Sequence, residues 1–267
     1  MHSTIKFIAT DMDGTLLDPN GQLTPDFFPL YERIKEQGIH FAPASGRQYY
    51  SLKDMFSSIQ DELIFIAENG TLVMQNDEEL YSCTLDTAAA KEIIKTARSI
   101  DNTYMVLCGK HSAYIETQDP RALEEIRKYY HRCEYVEDLL SVEDDFIKVA
   151  ICNFEGAEQH VFPTINDLFG NEYQVVVSAK IWLDVMNKEA SKGAAIRFLQ
   201  QHLGFKFEET MSFGDYFNDV EMLKESFHSY AMDNAHPEIK KLSRFIAPSN
   251  NEAGVLKVVD KYLATVE

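Results

Sequence analysis

Basic residues are the scarce class in this 267-residue chain: 25 Lys and Arg stand against 43 Asp and Glu, a formal net charge of −18. Nucleic-acid binding rests on Lys and Arg neutralising phosphates, so no nucleic-acid partner is expected. The same imbalance repels small phosphates at long range. A phosphate site therefore needs a bound cation and a few placed basic groups to invert the local sign. No uninterrupted apolar run approaches the roughly 18 residues a membrane span requires. The N-terminus shows no basic-then-apolar leader, and a cytoplasmic protein without membrane association is expected.

Cysteine is sparse as well. Cys83, Cys108, Cys133 and Cys152 lie far apart in the middle of the chain with no Cys-x-x-Cys pairing. That spacing argues against structural zinc and a short disulfide scaffold, and leaves four buried thiols. No Gly-x-x-x-x-Gly-Lys-Ser/Thr occurs, so a P-loop is absent. Ser45 is not on a nucleophile elbow, because Pro43 stands where glycine would be needed. There is no internal repeat or low-complexity segment.

What is present is ordinary globular material, 45% hydrophobic and 25% charged, long enough for one large or two ordinary domains. The opening reads as a strand over 5–10, a helix over 25–37 and a strand over 39–44. Thr24-Pro25 supplies the helix cap and first-turn proline, and Gly38 the stop. A helix over 48–60 leads to a strand over 63–67, where Asn69-Gly70 marks a tight hairpin into 71–75. Between about 81 and 184 the pattern changes to paired short strands with helices over 86–100, 120–130 and 156–169, separated by an irregular acidic stretch. Such pairs indicate an antiparallel α+β unit. From Ser191 the β-α alternation resumes. The expected architecture is thus α/β, a doubly wound parallel-sheet core in two parts, 1–81 and 186–267, interrupted by an inserted α+β domain over 82–185 that could close over the strand ends.

Chemistry-bearing residues gather where these strands end. Asp11-Met12-Asp13-Gly14-Thr15 follows the first strand, placing two carboxylates at its carboxyl end, where open α/β sheets carry their sites. A helix-loop-helix calcium site is excluded: its sixth position needs glycine, and Leu16 stands there after a strand. Ser45-Gly46-Arg47 follows the next strand; the Ser45 hydroxyl, amides freed by Gly46 and the Arg47 guanidinium suit a phosphoryl group. Lys192 opens a helix, where a cation opposes the macrodipole and calls for a nearby anion. Gly214-Asp215-Tyr216-Phe217-Asn218-Asp219 follows a strand over 210–213. Carboxylates from these segments, with backbone carbonyl and water, suit octahedral magnesium. Taken singly, each segment also fits helix capping or a solvated surface.

Together, Asp11-Met12-Asp13-Gly14-Thr15, Ser45-Gly46-Arg47, Ser191-Lys192-Gly193 and Gly214-Asp215-x-x-Asn218-Asp219 resemble the four motifs of the haloacid-dehalogenase-like superfamily. Glu68-Asn69-Gly70, the long insertion and Asp219-Val220-Glu221-Met222-Leu223 are similar to its Cof-type sugar-phosphatase branch with a C2 cap. Where the family pattern often has Gly-Asn-Ala this chain has Asp233-Asn234-Ala235, a departure expected to leave the chemistry untouched.

The resemblance implies a Mg²⁺-dependent phosphatase of small phosphate monoesters, such as sugar phosphates, pyridoxal phosphate or nucleotides. Asp11 would be the nucleophile forming an aspartyl-phosphate, and Asp13 the acid and then base. Ser45 and Lys192 would hold phosphoryl oxygens, Gly46, Arg47 and Asn218 would touch phosphate or substrate, and Asp219 would orient Lys192. Magnesium would be held by Asp11, the Asp13 carbonyl and Asp215. A phosphosugar mutase is the alternative enzyme. A phosphoacceptor signalling module, less favoured, also places acids and a lysine at strand ends, but without such a cap or a built-in Asp13. The expected partner is a small phosphorylated metabolite, with no protein partner. Leaving-group recognition is expected from the cap, with Trp182, Tyr114, His131 and Asp184 as candidates.

Overall fold

The computed structural model describes residues 4–266, which divide into two compact units. One comprises the chain up to Gly46 together with Leu52–Tyr81 and Ser191 onwards. The other comprises Arg47–Ser51 and Ser82–Ala190.

The first unit is a doubly wound α/β domain. Its strands are β1 (Phe7–Asp11), β2 (His40–Ala44), β3 (Ile64–Ala67), β4 (Leu72–Gln75), β5 (Glu78–Ser82, whose last residue falls to the other unit), β12 (Thr210–Gly214), β13 (His228–Met232) and β14 (Phe245–Ala247). They form one sheet in the order β14-β13-β12-β1-β2-β3-β4-β5. The six from β14 to β3 are parallel, and β4 runs antiparallel to β3. Helices α1 (Phe27–Glu36), α7 (Lys192–Leu203), α8 (Val220–Lys224), α9 (Pro237–Leu242) and α10 (Gly254–Leu263) belong wholly to this unit, and α2 (Tyr49–Met55) begins in the other. Every residue of β1 is buried, which is why Phe7-Ile8-Ala9 reads as a continuous apolar stretch rather than an alternating one. One core layer joins Phe7, Ala9, Ile64 and Ile66 of the sheet to Ile196 and Leu199 of α7 and to Phe205. The Phe7 and Phe205 rings stack with centroids 4.6 Å apart.

The inserted unit is α+β. It holds β6 (Thr103–Gly109), β7 (Ala113–Ile115), β8 (Cys133–Tyr135), β9 (Phe146–Asn153), β10 (Tyr173–Ala179) and β11 (Trp182–Asn187), in the order β10-β11-β9-β6-β7-β8. Every pair is antiparallel except β7 with β8, which is parallel. Helices α3 (Thr87–Ala97), α4 (Pro120–Ile126), α5 (Ala157–His160) and α6 (Phe162–Phe169) complete it. Its core joins Leu107, Val149, Ile151, Leu183 and Val185 of the sheet to Ile93 and Ile94 of α3 and Ile165 of α6. None of the four cysteines forms a disulfide; three are buried and Cys133 is half-buried.

Several expectations need correction. The boundary set at 185 falls inside β11, where Met186 still pairs with Lys148 and Gln174. Arg47–Ser51, expected in the core, groups with the insertion, where the Gln48 side chain bonds both the amide and the carbonyl of Arg132. The helix expected over 156–169 is broken at Val161, because Pro163 has no N–H to donate and its ring crowds the carbonyl four residues back. Asn69-Gly70 is not a two-residue hairpin: four residues, 68–71, join β3 to β4, and Glu68, Asn69 and Gly70 all have positive φ.

Candidate active site

Three neighbouring parallel strands end together at one edge of the first unit. Thr10 is level with Phe213 of β12 and with Pro43 of β2, and Asp11 is level with Ala44. Asp11, Ser45 and Asp215 therefore leave the sheet within about one residue of each other. The strand order reverses at β1, so this edge is the switch point where doubly wound sheets bind their ligands.

Beyond Asp11 the chain turns sharply. Asp13 is extended (φ −76°, ψ 120°) and exposed, and Gly14 is left-handed at φ +81°. A Cβ at position 14 would lie 2.5 Å from Asp215 Oδ2, so only glycine lets the two segments approach this closely. Thr15 Oγ1 donates to Asp215 Oδ1 at 3.3 Å, and Asn234 Nδ2 donates to the Gly14 carbonyl at 2.7 Å.

Lys192 enters from the start of α7, whose first turn is capped by Ser191 accepting from the Ala194 amide. Its side chain is fully buried, with Nζ 2.5 Å from Asp11 Oδ1 and 2.7 Å from Asp219 Oδ1. The anion that the helix start called for is thus a pair of carboxylates. Asp219 Oδ2 accepts from the amides of Asp215 and Tyr216 at 2.9 and 3.2 Å. Both Asp219 oxygens are engaged, and the residue links the Lys192 ammonium to the backbone carrying Asp215.

The charge balance is acidic. Burial and the neighbouring Asp219 carboxylate push Asp11 well above the usual carboxylate range, against the pull of Lys192. Asp215 is pushed up to about 6, by burial first and by Asp219 next. Burial alone would lower the Lys192 ammonium, but Asp11 and Asp219 overcome that and raise it. Among the described residues, Asp11, Asp215 and Asp219 each offer an oxygen within 4.8 Å of the others. Asp219 already holds the Lys192 ammonium and two backbone amides, which leaves Asp11 and Asp215 as the pair more open to a cation. A hard divalent ion held by oxygen ligands would relieve the repulsion that raises both.

Ser45 is buried directly beyond β2. Its amide donates to Ile66 O, and its carbonyl accepts from the Asn69 amide at 2.8 Å. The Asn69 side chain lies against Gly46, and Asn69 Oδ1 accepts from Asn218 Nδ2 at 3.2 Å. Arg47 is half-buried and belongs to the inserted unit. Trp182, Tyr114, His131 and Asp184 belong to that unit too. Trp182 is buried with its Nε1 donating to Glu125 Oε1, Asp184 is buried 3.7 Å from the Lys148 ammonium, Tyr114 donates to Asp144 Oδ2, and His131 is exposed.

Three positions here were not singled out in the sequence. Asn69 joins the Ser45 and Asn218 segments, Thr15 bonds Asp215, and Asn234 pins Gly14 while its Oδ1 accepts from the Asn250 amide. All three lie in stretches that carry the family resemblance, but nothing local distinguishes either asparagine from an ordinary turn asparagine.

The family model for haloacid dehalogenase-like hydrolases matches residues 8–259. A 5-amino-6-(5-phospho-D-ribitylamino)uracil phosphatase of Escherichia coli is 33% identical over 262 residues, 97% of each chain. An HMP-PP phosphatase of Klebsiella pneumoniae is 28% identical, covering 88% of this chain and 86% of its own. Among solved structures, a Streptococcus mutans protein superposes with a TM-score of 0.86 at 28% identity, covering 98% of this chain and 100% of its own.

Proposed function

The chain belongs to the haloacid dehalogenase-like hydrolase family, and from that premise we propose that it is a Mg²⁺-dependent phosphatase of small phosphate monoesters, acting through an aspartyl-phosphate on Asp11. One observation carries the reading: Asp11 from β1, Lys192 from α7, and Asp215 and Asp219 from beyond β12 converge within hydrogen-bonding or metal-bridging distance.

In this reading an Asp11 carboxylate oxygen attacks phosphorus, the new O–P bond forming as the ester P–O bond breaks. Asp13, two residues on and exposed, gives its proton to the departing alkoxide. In the second half Asp13 takes a proton from water as that water attacks phosphorus, releasing inorganic phosphate and restoring the Asp11 carboxylate. The Lys192 ammonium, fixed in position by Asp219, faces the charge that gathers on the transferring phosphoryl group. The Ser45 hydroxyl and the amides around Gly46 hold its remaining oxygens, and Asn218 and Arg47 recognise phosphate or substrate. Magnesium would be held by Asp11, Asp215 and the Asp13 carbonyl, and would supply charge neutralisation around the phosphate. That role answers the requirement set by a net charge of −18.

The relatives support a small phosphorylated metabolite as substrate, since their names describe phosphatases of a ribityl-uracil phosphate and of HMP-PP. Among the described residues no helix is long and apolar enough to cross a membrane. A cytoplasmic setting belongs to the proposal.

The test is phosphate release from a panel of small esters with and without Mg²⁺. Asp11→Asn at equal folded content is expected to retain less than about a hundredth of wild-type turnover, a loss of the size that removal of a group acting in the transition state produces. Unchanged turnover in that variant would refute the nucleophile assignment.

A further inference from the structure

Two large aromatic side chains remain exposed beside the acidic cluster: Tyr216 at 54% and Phe217 at 48%. They fill the two variable positions between Asp215 and Asn218. With His236 they form one contiguous group, with ring centroids 5.2 Å apart for Tyr216 and Phe217 and 4.7 Å for Phe217 and His236. The rings stand at steep angles to one another, 74° for the first pair and 49° for the second. Tyr216 meets Phe217 edge to face and Phe217 meets His236 at a tilt, and the exposed Tyr216 and Phe217 keep ring surface uncovered.

This group is tied to the site's own backbone. Tyr216 N–H donates to Asp219 Oδ2, the Tyr216 carbonyl accepts from the Asp219 amide at 3.1 Å, and His236 N–H donates to the Asp215 carbonyl at 3.0 Å. The Glu238 amide donates to His236 Nδ1 at 3.2 Å, which leaves the ring proton on Nε2. Consecutive Cα atoms are about 3.8 Å apart, so both rings are anchored within about 8 Å of the Asp215 Cα. A ring joined to a phosphate by a short aliphatic linker spans that distance. Exposed apolar surface next to a cluster of polar groups marks a recognition surface.

We propose that Tyr216, Phe217 and His236 form a leaving-group subsite on the core unit, one that selects phosphate esters whose alcohol carries a planar heteroaromatic ring. The inference rests on the phosphatase reading above and adds a substrate class to it. The aromatic side chains offer π contacts to such a ring, and His236 Nε2–H offers a donor to a ring heteroatom. A simple polyol phosphate presents no π face and gains none of this.

The experiment uses Asp11→Asn as a non-turnover background, with and without Tyr216→Leu/Phe217→Leu. Leucine keeps apolar bulk and removes the π system. Binding of pyridoxine 5′-phosphate and of glycerol 1-phosphate is titrated by calorimetry with Mg²⁺ present. The double substitution is expected to weaken the pyridoxine ester about tenfold, the scale of one aromatic stack, and the glycerol ester less than about twofold. Equal loss for both esters, no loss for either, or no binding of the pyridoxine ester before substitution would overturn the proposal. Turnover of the same two esters by the wild-type enzyme separates the two claims: failure to hydrolyse either removes the phosphatase reading, while the titration still decides the ring subsite. Light scattering closes the remaining route. A wild-type dimer converted to monomer by the double substitution would assign these rings to self-association and overturn the subsite.

Discussion

Lys192 sits with its ammonium between Asp11 and Asp219, and its side chain has no exposed surface. Two buried carboxylates around one cation are stable only while the cation is there. Removing one partner of a buried charge cluster costs about 3–5 kcal/mol. Lys192→Met, which keeps the aliphatic length, is therefore expected to destabilise the protein on that scale in urea unfolding and to abolish phosphate release. Adding Asp219→Asn removes one of the stranded charges and should restore about 0.5–3 kcal/mol of the loss, the range for residues in direct contact. Activity should not return, because Lys192 acts on phosphate in this account rather than merely stabilising the fold. Recovery of turnover in the double variant would reduce Lys192 to a structural counter-ion.

At the scale of elements, the β3–β4 loop shows both what was legible and what was not. The four motifs could be read because each couples a local signal, an apolar strand ending or a helix start, to residues with distinctive chemistry. Their meeting follows from parallel register, since β12, β1 and β2 end level. The geometry of loop 68–71 was not legible, since three consecutive positive φ values at Glu68, Asn69 and Gly70 answer to what lies against the loop. A Cβ at Gly70 would fall against the Ser191 carbonyl and 2.7 Å from the Lys192 amide. The loop thus packs on the first turn of α7. Gly70→Ala combines a φ of +87° with that collision and is expected to cost about 1–2 kcal/mol for the left-handed backbone alone. It should also displace Lys192, lowering kcat at least tenfold while Asn20→Ala, an exposed control, stays at wild-type level. A stability loss without any kcat change would show that the loop does not position the lysine. β5 escaped sequence reading for a different reason. Glu78 and Glu79 are exposed on an edge strand, and edge strands carry charge that masks their alternation.

For the whole molecule the governing quantity is charge. A chain at −18 concentrates three of its acids within 4.8 Å of one another, so the metal-free fold carries repulsion that a divalent cation relieves. Asp215, pushed up to about 6 by burial and Asp219, sets the pH window. A raised carboxylate stabilises the fold fully below its ordinary value and loses that contribution as pH rises through about 6. Metal-free Tm is accordingly expected to fall between pH 5 and pH 8 in a citrate-free buffer. Mg²⁺ at a hundredfold excess over its Kd should add about 2.7 kcal/mol at pH 8, a rise of about 5–10 °C for a chain of this size. The rise should shrink at pH 5, where the ion must displace a proton, and vanish in Asp215→Asn. A magnesium shift that is equal at both pH values, or that survives Asp215→Asn, would place the ion elsewhere. The central claim, that Asp11 accepts the phosphoryl group, is tested most directly by acid-quenching the enzyme during turnover and mapping the phosphorylated peptide by mass spectrometry. The account predicts a phosphoryl group on Asp11 in the wild type, accumulating further in Asp13→Asn and absent from Asp11→Asn; a turning-over enzyme with no phosphoryl group on Asp11, or with one on another residue, would contradict it.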